Sequence, residues 1–295
     1  MSRVFVLGNA SLDTTLRVPR LPLPGETLMA TGILRAPGGK GLNQAVACAR
    51  AGAEVHFCAA LGTEPETALI RAALAAEPLA GLHLVDVGQN SDLSSLMVAP
   101  SGENCIVSTG ACCDALTLAV AQDFLAAMRP DDLLLVQGNL TEAVTGWAVS
   151  HAARAIVNTA PIRWDMRAVL ARAWLAIANR VEAAELCGTD DPARLGAVTG
   201  IVTLGAEGCR VAGPDGSFAC PAPIVVPVDT TGAGDVFCGV LAARLACGAA
   251  LPAAVEDAQQ AAALSVTRPG CFGAIPREAE LRRSHDAGNI RGVVR

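Results

Sequence analysis

Short apolar runs recur along this chain, and each stops at or just before a glycine or an asparagine. Val4-Phe5-Val6-Leu7 runs into Gly8-Asn9, and Leu133–Val136 into Gln137-Gly138-Asn139. Ala155-Ile156-Val157 meets Asn158, Trp174–Ile177 reaches Asn179, and Ile201–Leu204 ends at Gly205. Between them lie Ala- and Leu-rich stretches with helical spacing at 42–51, 67–76, 118–128, 142–154, 234–245 and 253–267. A strand that is apolar on both faces must be covered on both, and strands alternating with helices pair in parallel. The expected fold class is therefore α/β: three layers, α/β/α, around a mostly parallel central sheet. The composition, 52% hydrophobic and 17% charged, supplies such a core and excludes general disorder. In such sheets ligands bind beyond the C-terminal ends of the strands. The residues at those ends are Asp13, 38–43, Asn139, Asn158, Asn179, Gly205 and 232–235.

Two stretches break the rhythm. Residues 13–37 carry Pro19, Pro22 and Pro24 and then the strand-like Thr27–Leu34. Residues 92–110 hold Leu96–Ala99 and Cys105–Ser108 around Pro100-Ser101-Gly102-Glu103, a hairpin pattern. Together they are expected to form a small β lid over the strand ends of a single 295-residue domain. Cys209–Val211 and Ser217–Cys220 read as an antiparallel ribbon, and the stretch from His285 onward as one that frays.

Within this frame the segment Asp229-Thr230-Thr231-Gly232-Ala233-Gly234-Asp235 stands before the helical run at 236–241. Small residues at a helix start turn backbone N–H groups toward one point, where the helix dipole favours an anion such as phosphate. An acid at that start, Asp235, is placed to take a proton from an attacking hydroxyl. The bland reading of the same segment is a capped loop. Lys40, the only lysine beside 21 arginines, falls in a second glycine-rich helix entry, Gly38-Gly39-Lys40-Gly41.

Other classes are disfavoured. A net charge of −6 argues against nucleic acid and anionic membranes as partners. Eleven cysteines without a C-x-x-C pair, many of them in apolar runs, point to reduced, buried thiols in a cytoplasmic protein rather than to a metal site. A structural role is expected for Cys112-Cys113, and packing roles for Trp147, Trp164 and Trp174. No leader and no membrane span is read. The first strand is not followed by G-x-G-x-x-G, and no Walker-type P-loop is present.

The glycine-rich segments resemble, in order, the elements of the ribokinase/PfkB family of carbohydrate kinases. They are Gly38-Gly39-Lys40-Gly41-Leu42-Asn43-Gln44-Ala45, Gly102-Glu103-Asn104, Asn158-Thr159-Ala160-Pro161, 179–185, Val202-Thr203-Leu204-Gly205, Asp229–Asp235 and Val266-Thr267-Arg268-Pro269-Gly270. The resemblance implies a ribokinase-like fold, ATP as phosphoryl donor with Mg²⁺ and K⁺, and a sugar hydroxyl as acceptor. By position it makes Asp235 the base, with Gly232, Ala233 and Gly234 as the anion hole. It implies sugar contacts from Ser11, Asp13, Gly39, Lys40, Asn43 and Asn139, and nucleotide contacts from Asn179, Thr203, Gly205, Gly208, Gly234 and Gln259. It implies Glu182 near Mg²⁺, mainly through water, Asp229 and Thr231 at K⁺, and a homodimer formed through the lid.

Two positions depart from the pattern of the family's ribose-phosphorylating members. Ser11 replaces an asparagine and Asn139 an acid. An acid accepts from two hydroxyls, whereas an amide donates and accepts. Ribose is the first acceptor to expect, with another sugar, a polyol or a nucleoside as the alternative. A sugar- or nucleotide-binding regulator without catalysis is the alternative from a different class.

Overall fold

The computed structural model describes residues 2–101 and 103–281; Gly102 and the stretch from His285 onward lie outside the described residues. The chain opens with β1 (Val4–Leu7), β2 (Ser11–Arg17) and β3 (Gly32–Gly38), then helix α1 (Lys40–Arg50). β4 (Val55–Leu61), α2 (Thr67–Ala75) and β5 (Gly81–Asp86) follow, then β6 (Asp92–Val98), β7 (Asn104–Ser108) and α3 (Ala111–Ala115). Next come α4 (Leu118–Leu125), β8 (Leu133–Gln137), α5 (Glu142–His151), β9 (Ala155–Asn158) and α6 (Arg167–Leu170). β10 (Leu175–Asn179), α7 (Arg180–Cys187), β11 (Thr199–Thr203) and the ribbon β12 (Cys209–Gly213) and β13 (Gly216–Cys220) precede α8 (Ala233–Ala246) and α9 (Leu251–Ser265).

Nine strands form the large sheet in the order β13-β12-β11-β10-β9-β8-β1-β4-β5. From β11 to β5 the pairs are parallel, and β12 and β13 close one edge antiparallel. Alternation across the pleat explains why its central strands are apolar throughout. Val4, Val6, Leu133 and Leu135 pack on the side of α1, α8 and α9, while Phe5, Leu7, Leu134 and Val136 pack on the side of α4, α5 and α6. All eight are buried. The smaller sheet has the order β3-β2-β6-β7. Its β2 and β6 run parallel, an arrangement a hairpin cannot supply, and the other two pairs are antiparallel.

Three sequence expectations are corrected. The strand expected over Thr27–Leu34 is the later β3, because residues 18–31 form a loop. The Glu26 N–H donates to the Leu23 carbonyl, Gly25 has φ +83°, and the Thr31 N–H and hydroxyl both donate to the Arg17 carbonyl. β5 was missed because an edge strand with one neighbour does not need a continuous apolar run; Gly81–Asp86 is largely half-buried. Finally, Asp13 lies within β2 of the small sheet and not beyond a strand of the large one.

All eleven cysteines are free thiols, but Cys247, expected in an apolar run, is exposed, as is Cys105. Cys112 and Cys113 do serve structure: their backbone N–H groups both donate to the buried Asp92 carboxylate at 3.1 Å. Burial pushes the Cys112 thiol up to about 11 and the Cys58 thiol to about 12. Among the described residues no helix is long and apolar enough to cross a membrane.

Leu135 sits in the middle of the sheet with no exposed surface. Leu135→Ala is expected to cost about 2–5 kcal/mol, a lost side chain plus the cavity it leaves. Urea unfolding checks this as a lower midpoint with an unchanged slope.

Candidate active site

The C-terminal strand ends of the large sheet and the N-termini of α1 and α8 converge on one cleft. Gly232, the residue before α8, is left-handed with φ +78°, and a Cβ there would overlap the Cys271 thiol. The turn brings Ala233 and Gly234 to the helix start and puts Asp235 in its first turn, 6% exposed. The loop leading in is stapled by Asp229, itself buried. Its Oδ1 accepts from the Thr231 N–H at 2.9 Å and its Oδ2 from the Gly270 N–H at 3.0 Å. The Thr231 hydroxyl is buried without a partner.

Three residues from α1 surround the Asp235 carboxylate. Lys40 Nζ lies 3.9 Å from Oδ1, Gln44 Nε2 donates to Oδ1 at 3.0 Å, and Asn43 Nδ2 faces Oδ2 at 3.5 Å. The Asp235 carboxylate, with Glu182 beyond it, holds the Lys40 ammonium above its ordinary pKa against the opposing effect of burial. Asn43 Nδ2 also reaches the Cys271 thiol at 3.0 Å, which leaves Asn43 Oδ1 buried and unpartnered. Asn139, two residues past β8, likewise keeps an unpartnered buried Oδ1. Buried polar atoms are rarely left so, which marks both amides as open to a further hydrogen bond.

Asp13 enters from the small sheet. Burial raises its carboxyl pKa first, and the nearby Asp235 carboxylate adds to this, against hydrogen bonds from Ser11 and Ser94 and the charge of Lys40. The Ser11 hydroxyl donates to Asp13 Oδ1 at 2.8 Å, and Ser11 is 1% exposed. Ser11, expected to touch substrate, therefore acts on Asp13. A side chain at residue 38 would overlap the Asp13 carboxylate, which is the local reason for a glycine there.

On the other side of Gly234 lies a cavity of about 400 Å³. It gathers Thr203, Gly205, Gly208, Gly234 and Gln259, and Gln259 Nε2 is buried without a partner. Its apolar wall comes from Ile224 and Val225, in a proline-flanked stretch with no periodicity for sequence reasoning to use. Asn179 does not line it. Its side chain caps α7 instead, in a reciprocal pair with Glu182. Asn179 Oδ1 accepts from the Glu182 N–H at 2.9 Å, and Glu182 Oε2 accepts from the Asn179 N–H at 3.0 Å. Glu182 Oε2 also accepts from the Thr159 hydroxyl at 2.8 Å. Among the described residues, no three His, Cys, Asp or Glu side chains cluster as a metal cage.

In the sequence Gln44 and Gln137 carry no assigned role, and Cys271 gives no signal at all. A glutamine in a helical run carries no signal of its own; only the fold shows what its amide reaches.

Comparison with known proteins gives a consistent picture. The pattern described as pfkB family carbohydrate kinase matches residues 1–278. The ribokinase of Bacillus subtilis is 32% identical over 293 residues, covering 95% of this chain and 98% of its own. The ribokinase of Giardia lamblia, 23% identical, superposes with a TM-score of 0.87 over 97% of this chain and 100% of its own, a likeness of fold. The ribokinase of Cryptococcus neoformans in complex with ADP, 26% identical, gives 0.84 over 96% and 100%.

Gly232→Ala is expected to destabilise the protein by about 1–3 kcal/mol, from the left-handed backbone and the overlap with Cys271. A lowered thermal midpoint in calorimetry checks this. A wild-type midpoint would show that the turn relaxes freely.

Proposed function

We propose, from the premise that this chain belongs to the pfkB family of carbohydrate kinases, that it transfers the γ-phosphoryl group of ATP to a hydroxyl of D-ribose. The observation that carries the reading is the place of Asp235. It stands at the start of α8 between the Lys40–Asn43 cluster and the cavity lined by Gly234. A sugar hydroxyl on the first side and a nucleotide on the second meet there. The ribokinases among its relatives support ribose as the acceptor, and the ADP-bound one supports an adenine nucleotide in the cavity.

In this reading Asp235 accepts the proton of the attacking hydroxyl, a contribution of roughly 10²–10⁴-fold. The N–H groups at Gly232, Ala233 and Gly234 meet the charge on the transferring group. Lys40 adds a positive charge beside the base. Asp13, Asn43 and Asn139 hold sugar hydroxyls, the two unpartnered amide oxygens accepting from them. Ser11 orients Asp13, and Gly39 opens the backbone beside Lys40. The small sheet acts as the lid that excludes water as a competing acceptor, within one domain over 1–295. Its exposed Ile33 and Val107 offer the surface for a homodimer.

Glu182 fits magnesium only through water. Its oxygens already accept from Thr159 and Asn179, and a hard ion that keeps its waters tolerates such an acid. Bound magnesium would supply charge neutralisation at the phosphates. Asp229 and Thr231 would hold potassium beside the anion-hole loop, with the unpartnered Thr231 hydroxyl available there. We place the enzyme in the cytoplasm, where its free thiols stay reduced.

The test is ADP release from MgATP across pentoses, hexoses, polyols and nucleosides, with and without potassium. D-ribose is expected to raise the rate at least about 100-fold over acceptor-free enzyme, within the span of typical catalysis. Faster turnover of a nucleoside would move the specificity to that class through Ser11 and Asn139. Stabilisation by sugar or nucleotide without turnover would make the protein a binding regulator.

A further inference from the structure

Gln44 is fully buried, and its side-chain amide has a partner on every side that matters. Its Nε2 donates to Asp235 Oδ1 at 3.0 Å and to Asn158 Oδ1 at 3.2 Å. Its Oε1 accepts from Gln137 Nε2 at 2.8 Å, and Gln137 is also fully buried. Asn158 Nδ2 in turn donates to the Ile177 carbonyl at 3.3 Å. Gln137 is the last residue of β8 and Asn158 the last of β9. A chain of amides thus runs from the ends of two central strands, through α1, to the carboxylate on α8.

The helices are fitted to this chain. A side chain at Gly239 would overlap the Gln44 carbonyl and come within 2.7 Å of the Ala47 methyl. Gly239 lets α8 approach α1 at the residue whose amide reaches Asp235. On the other side, a Cβ at Gly8 would overlap Gln137 Oε1 and lie 2.9 Å from the Gly41 Cα, so the backbone just past β1 closes over the far end of the chain. Gln137 Oε1 is itself buried without a partner, so it is Gln137 Nε2, 2.8 Å from Gln44 Oε1, that fixes the polarity of the Gln44 amide. The oxygen is taken by Gln137, so an N–H is presented to Asp235.

We propose that Gln44, oriented by Gln137, is the positioning residue of the catalytic acid. It holds Asp235 Oδ1, which leaves Oδ2 toward Asn43 and the sugar side, and this role rests on the kinase reading given above. Gln137 precedes Gly138 and Asn139, so the same chain ties the base to the loop that carries a specificity-determining amide. A small misplacement of a reacting group far from any loss of folding reduces turnover by about 100-fold.

Two substitutions of nearly the same volume separate this role from packing. Gln44→Met fills the space without donating. Gln44→Glu keeps the shape and, when ionised, offers only acceptors to Asp235. Both are expected to lower kcat by about 10- to 100-fold, while KM for ATP and stabilisation by ATP stay at wild-type values. Gln137→Met is expected to lower kcat in the same sense, and the Gln44→Met, Gln137→Met double variant to be no worse than Gln44→Met alone. If Gln44→Met does not fold, Gln44→Glu and Gln137→Met carry the test. Wild-type kcat in any folded Gln44 variant overturns the proposal while leaving the kinase reading in place. So does a loss explained wholly by a smaller folded fraction. A wild-type protein that turns over no acceptor overturns the kinase reading, and the role of Gln44 with it.

Discussion

The close crossing of α1 and α8 is the constraint on which the site depends. It is possible because residue 239 has no side chain to hold the helices apart. The N-termini of both helices then open into the same cleft, one carrying Lys40 and Asn43, the other Asp235 and the turn at Gly232. Lengthening the helix separation by the width of a methyl would remove the 3.0 Å bond from Gln44 to Asp235 before it disturbed the sheet. The sheet supplies the other fixed points, since Gln137 and Asn158 end strands whose every residue is buried.

That geometry also explains how so much charge is tolerated in a covered place. Asp235 and Asp229 are both nearly inaccessible, and Asp13 is half-buried beside them. An isolated buried carboxylate is costly. Asp229 is compensated by two backbone N–H groups, and Asp235 by the Gln44 amide and the Lys40 ammonium. The arrangement places two acids on one lysine, and burial raises Asp13 further. A sugar bearing neutral hydroxyls suits such a cleft better than an anionic acceptor, which Asp13 and Asp235 would repel.

Much of this was legible in the sequence. Apolar runs such as Leu133–Val136 and Ile201–Leu204 announce buried parallel strands because both of their faces must be covered. The glycines before Lys40 and Asp235 announce helix starts. What stayed hidden has a physical reason in each case. β5 sits at an edge, where burial asks little of its residues. The wall at Ile224 and Val225 has no period, and Asn179, expected beside the nucleotide, is seen as a cap only once Glu182 answers it. Gln44 and Gln137 lie 93 positions apart and meet only through the order of the strands. The small sheet was legible as a break in rhythm, but the parallel pairing of β2 with β6 was not.

The central claim is that Asp235 is the proton acceptor in a site already assembled around it. Asp235→Asn keeps the shape and the contact with α1 but removes the basicity. The account predicts that this variant still binds ATP and sugar with near wild-type affinity in calorimetric titrations, while single-turnover transfer falls by at least about 100-fold. Transfer at the wild-type rate in the same variant would contradict it and move the base to another group.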